Sequence, residues 1–179
     1  MQNTTQQYEA AISLCKDIFL KKMKDYGTAW RNMRPRSLTD QIYIKAQRIK
    51  SIEEKGTQKV QDDIRGEYIG IINYCAIALV QLELGEDSRM DLPYEEVAEL
   101  YLKHMAITKA LMENKNHDYG EAWRDMRISS LTDLILMKIF RVKQIEDNDG
   151  KTIISEGVDA NYMDMINYSA FALIKLSDS

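Results

Sequence analysis

Asp25-Tyr26-Gly27-Thr28-Ala29-Trp30-Arg31 returns 93 residues later as Asp118-Tyr119-Gly120-Glu121-Ala122-Trp123-Arg124. Ser37-Leu38-Thr39-Asp40 returns as Ser130-Leu131-Thr132-Asp133, and Ile72-Asn73-Tyr74 as Ile166-Asn167-Tyr168. Between Asp25 and Glu53, 18 of 29 positions match their partners, which marks an internal duplication. The duplication decides the fold, because whatever one copy forms the other must form too. It also gives an internal comparison: where the copies disagree, a function can persist in one half only.

Outward from the repeated string, the apolar residues recur with a helical period, and β-branched alternation is scarce. Two prolines and eight glycines are too few to break the chain into many strands and turns. Each copy reads as three helices, over about 5–24, 37–53 and 61–84 in the first and about 93–116, 130–146 and 155–176 in the second. Pro93 with Glu95 and Glu96 behind it is a helix-start signal. Ser37-x-x-Asp40 and Ser130-x-x-Asp133 resemble capping boxes. Three helices bury little surface alone, so the two copies are expected to pack on each other. The expectation is an all-α chain, a tandem duplication of a three-helix unit packed as one pseudo-two-fold bundle. Repeat one covers 1–84, a linker 85–92 and repeat two 93–179.

Composition narrows the function. A hydrophobic share of 45% supplies a core, while 29% charged residues describe a soluble chain with no apolar run long enough to span a bilayer. No membrane is therefore expected as a partner. The net charge of −4 and the pI near 5.3 argue against a nucleic-acid groove. A small anionic ligand stays compatible with that charge, since a local basic cluster overrides the net value. Cys15 and Cys75 sit alone in apolar-periodic stretches and read as reduced core residues, which points to the cytoplasm. The sequence leaves open whether the chain forms a homodimer.

The chemistry-bearing candidates lie on the second and third helices. Lys138 falls in the middle of an apolar face made by Leu131, Ile135, Val142 and Ile145, with Arg141 one turn on. Lys45 and Arg48 repeat the arrangement. An ammonium in an apolar stripe needs an anion or a route to water, so Lys138 and Arg141 are candidate phosphate ligands or half of a structural ion pair. On the third helix of repeat two, Glu156, Asp164 and Asn167 share a face, and Asn167 is a candidate substrate contact. With Glu146 at the end of the second helix, these acids are candidate ligands for Mg²⁺. Repeat one offers Asp62 and Asn73 there, with Gly70 in place of Asp164. The expectation is that repeat two keeps the better site.

The Asp-Tyr-Gly-x-Ala-Trp string is the most distinctive local feature. Tyr119 and Trp123 could stack on a base and Arg124 could reach phosphate, or the aromatic pair could close one end of the core. No Ser-His-Asp or Cys-His arrangement and no glycine-rich phosphate loop is present.

Taken together, Lys/His-Asp-Tyr-Gly-x-Ala-Trp, Ser-Leu-x-Asp followed by Lys and Arg, and Glu-x7-Asp-x2-Asn-Tyr resemble the nucleotide modification associated domain family, in both repeats. The family occurs in bacteria and phages, and the resemblance implies a link to nucleotide metabolism or DNA modification. More distantly, the chain is similar to the MazG-like and dimeric dUTPase-like all-α nucleoside triphosphate pyrophosphohydrolases. That similarity implies Mg²⁺-dependent hydrolysis, with Glu146, Glu156 and Asp164 as metal ligands, Glu156 and Asp164 as catalytic acids, and Lys138 and Arg141 on phosphate. The second helix here carries no Glu-x-x-Glu, and repeat one reads Glu67-x-x-Gly70. The expected function is binding of a nucleotide or nucleotide-like phosphate, with or without hydrolysis. The alternative is a non-catalytic binding or assembly module whose acids and bases form structural pairs.

Overall fold

The computed structural model describes residues 3–56, 64–152 and 157–178. Six helices account for the fold: α1 Thr4–Tyr26, α2 Pro35–Lys55, α3 Ile64–Leu84, α4 Tyr94–Tyr119, α5 Ile128–Asp147 and α6 Val158–Ser177. A single 3-10 turn precedes α2 (Ala29–Asn32) and its counterpart precedes α5 (Ala122–Asp125). The described residues contain no strand. The all-α tandem expectation is met, with three helices per copy in the same order.

Helix boundaries differ from the sequence reading at the second helix of each copy. α2 begins at Pro35 and α5 at Ile128, with Arg34 and Arg127 at the cap positions and no side-chain cap. Ser37 and Ser130 therefore lie inside the first turn. Proline at the first helical position already supplies the right φ and lacks the orphan N–H, which explains the earlier start of α2. Gly27 and Gly120, which end α1 and α4, both have positive φ, +63° and +60°, a conformation glycine adopts without a Cβ penalty.

The four helices α2, α3, α5 and α6 form the centre, each packed on two others in the order α2–α3–α6–α5, while α1 and α4 lie against α3 and α6. α3 is long and apolar enough to cross a membrane by length and composition, with a window of mean hydropathy 1.3. In this fold it packs on α1, α2, α4 and α6, and contact on several sides calls for an apolar helix.

The two copies hold each other by reciprocal polar bonds. Tyr8 donates to Asn167 Oδ1 (2.7 Å), and Tyr101, its counterpart, donates to Asn73 Oδ1 (2.8 Å). Asn167 donates to the carbonyl of Thr108 and Asn73 to that of Cys15, again equivalent positions. Thr39 meets Tyr162 (2.9 Å) and donates to Glu146 (3.1 Å), while Thr132 meets Tyr68 (2.7 Å) and donates to Glu53 (3.1 Å). Each bond has its mirror across the repeat boundary, the signature of a two-fold interface. These groups are largely buried, so each polar atom needs its partner.

Candidate functional site

The repeated string ties the first repeat to the connection before α4 and the second repeat to the start of α1. Arg31 is buried, donates to the carbonyl of Arg89 (2.8 Å), and also bonds Gln81 and the carbonyl of Asp87. Thr28 donates to the carbonyl of Met90 (2.7 Å). Both pin the connection that leads into α4. In the second copy Arg124 reaches Thr4 (2.8 Å) and Gln7 (2.6 Å) at the start of α1.

The copies diverge beneath this string. In repeat two, Trp123 is buried and stacks on Phe171, with ring centroids 4.2 Å apart and planes 5° apart, and Arg124 covers its other side at 4.4 Å. Asp164 is 3% exposed and meets two ammonium groups, Lys115 at 2.8 Å and Lys138 at 3.0 Å. Side chains therefore fill the space between α4, α5 and α6. Asn167 is committed to Tyr8 and Thr108.

Repeat one has Ile77 where repeat two has Phe171, and Gly70 where it has Asp164. A cavity of about 590 Å³ opens there. Its wall is aromatic and apolar, with Phe19, Tyr26, Trp30 and Tyr74 among its lining, and Lys22 and Lys45 both face it. These lysines are the counterparts of Lys115 and Lys138. Lys45 passes over the bare backbone of Gly70, where a Cβ would lie 2.8 Å from its Cδ and Cε. Its Nζ stands 5.6 Å from the Tyr74 ring centroid and 3.8 Å from Glu67, whose closer partner is Arg48 at 2.8 Å. Among the described residues Lys22 makes no ion pair.

The sequence-derived site residues do not assemble as one group. Lys138 reaches Asp164. Lys138 and Arg141 also line a separate concavity of about 650 Å³ along α5, with Lys50, Asp133 and Phe140. Glu146 stands two turns beyond Lys138, about 12 Å along the helix, and is held by Thr39 at the repeat interface. Burial there pushes its carboxyl above the ordinary range. Tyr119 is 74% exposed, whereas Trp123 is covered. Glu156 and Asp62 lie outside the described residues.

Among the described residues no three His, Cys, Asp or Glu side chains group as metal donors. Both oxygens of Asp164 are already engaged by ammonium groups. Sequence reading missed Lys22, Lys115 and Phe171. Pairing the non-identical positions of the copies, Ile77 with Phe171 and Gly70 with Asp164, is the signal that exposes the cavity.

The fold and its reciprocal contacts define a class, the tandem-duplicated helical bundle with one filled and one open repeat. Residues 22–82 and 115–176 each match the model of nucleotide modification associated domain 1, and the chain belongs to that family. No curated protein and no solved structure gives a significant match.

Proposed function

We propose that the chain binds a nucleotide or nucleotide-like phosphate, and that the cavity of repeat one receives it. The observation that carries this reading is the pairing, in one cavity, of an aromatic wall with two lysines. A base or comparable planar group suits Trp30 and Tyr74, and an anion suits Lys22 and Lys45. A volume of about 590 Å³ is in the range of small-molecule sites. The family description, which associates the domain with nucleotide modification, points the same way. The reading is one of a cytoplasmic protein acting on a small ligand, and it moves the site from repeat two to repeat one.

Mg²⁺-dependent pyrophosphohydrolysis is the more demanding form of the proposal. It would require Asp164 to exchange Lys115 and Lys138 for the metal and Glu156 to join it. Binding alone requires neither. The competing reading is an assembly module. It is favoured by Ile44, Met137 and Phe140, all more than half exposed on α2 and α5. Ile44 and Met137 are equivalent positions, so this face is suited to a second copy of the chain.

A thermal-shift series with nucleoside mono- and triphosphates, each with and without Mg²⁺, tests the proposal. A ligand at about 100 times its Kd adds about 2.7 kcal/mol, which corresponds to a rise of about 5–10 °C for a chain of this size. No rise with any nucleotide, together with a dimer in sedimentation, would leave the assembly reading.

A further inference from the structure

Asp164 and Gly70 occupy equivalent places on α6 and α3, and the lysines around them are retained. In repeat two a carboxylate satisfies both ammonium groups at 2.8 and 3.0 Å. In repeat one the same pair of lysines lines the cavity, and among the described residues no carboxylate pairs with both of them. Glu67 on α3 sits one turn earlier, 3.8 Å from Lys45 and closer to Arg48, at 2.8 Å. At the position of Asp164 itself repeat one has Gly70 and so no carboxylate.

We infer that repeat one takes the phosphoryl group of its ligand between Lys22 and Lys45, at the place where repeat two holds the Asp164 carboxylate, and that it does so without a divalent cation. The inference rests on the nucleotide reading and deepens it, because it assigns the anion subsite and its chemistry. Repeat two is the internal control, showing that this helix geometry brings two ammonium groups onto one anion. Charge-assisted bonds of this kind are short and strong. Lys22 is exposed, and Lys45 has a four-carbon stem lying on a glycine that leaves it room. Trp30 and Tyr74 line the same cavity, so a planar group joined to the phosphate has an aromatic wall beside it. The filled copy cannot bind in the same way, because Asp164 and Phe171 occupy both subsites. One ligand per chain follows.

The test uses the full chain in EDTA, titrated calorimetrically with the four ribonucleoside 5′-monophosphates, the matching nucleosides and inorganic phosphate. The expected result is one site, with a monophosphate bound at least about tenfold tighter than its nucleoside, a difference of about 1.4 kcal/mol. Gly70→Asp installs the anion of repeat two and is expected to weaken the monophosphate at least about tenfold more than Gly70→Asn, a side chain of equal volume that displaces the Lys45 stem to the same extent. The nearest atoms to a Cβ at position 70 belong to the Lys45 side chain, which can shift, so both variants are expected to fold. Lys22→Gln, at an exposed position with no ion pair among the described residues, is the independent arm and is expected to weaken the monophosphate but not the nucleoside. Equal affinity for nucleoside and monophosphate, equal weakening by Asp and Asn, or binding that needs Mg²⁺ would each overturn the phosphoryl subsite while nucleotide binding stood. No response to any probe, with or without Mg²⁺, would overturn both.

Discussion

Tyr8 and Asn167 are 159 positions apart in the chain and 2.7 Å apart in the fold. Asn167 was a candidate ligand contact on sequence grounds, and its position makes it a fastener between the copies. Its side chain accepts from one helix and donates to the backbone of another. Tyr8→Phe leaves the buried Asn167 carbonyl oxygen without its donor, which costs about 1–3 kcal/mol. Asn167→Leu removes the group altogether. The double variant is expected to lose less than the two single losses added, because the partners touch. Urea unfolding of the four proteins measures this. Strict additivity would show that the bond does not couple the halves.

Asp164 is the second test. It is the carboxylate between Lys115 and Lys138, and Lys138 has the less exposed side chain of the two. Asp164→Asn leaves two ammonium groups facing each other without an anion. Fully buried pairs lose about 3–5 kcal/mol when one partner is removed. Lys115 can turn to water, so a loss of about 2–3 kcal/mol is expected here. Nucleotide affinity of the folded variant is expected to stay unchanged, since the open cavity is in the other repeat. A stable Asp164→Asn protein that loses Mg²⁺-dependent binding would instead return the site to repeat two.

Glu53 and Glu146 give the third. Burial at the repeat interface raises both carboxyls from the ordinary 4.5, although a hydroxyl bond from Thr132 or Thr39 pulls the other way. A raised carboxyl means that the folded chain holds the proton more tightly than the unfolded one. Their contribution to stability is therefore present at low pH and declines as pH rises from the ordinary value through the raised one. The Glu53→Gln/Glu146→Gln variant is expected to lack this decline. Melting temperatures from about pH 4 to about pH 8 would show it as a flatter profile on the alkaline side. Superimposable profiles would mean that these carboxyls contribute nothing to the pH dependence.

The helices and their pairing were legible because they depend on spacing. A 93-residue self-match and a 3.6-residue period survive in the letters whatever the packing. Lys138 in its apolar stripe was also a sound signal: it asked for an anion, and Asp164 is that anion. The cavity was not legible, because it is an absence. Gly70 reads as a lost ligand until Lys22 is seen to come from another helix, outside the strongly matching string. The two residues of the aromatic motif part for a related reason. Tyr119 and Trp123 are four apart in sequence, yet one is exposed and the other covered by Phe171 from α6, a contact that no local pattern encodes.

The reciprocal contacts also bear on how such a chain changes over generations. Two separate copies of one repeat, docked through the same bonds, would share every substitution, so hardening one cavity with a phenylalanine and an aspartate would harden its twin. Covalent fusion through the stretch from Gly85 to Leu92 removes that constraint. One half is free to become ballast that keeps the bundle closed, and the other is free to explore ligands at little risk to the fold. Selection for solidity and selection for recognition then fall on different residues of the same gene.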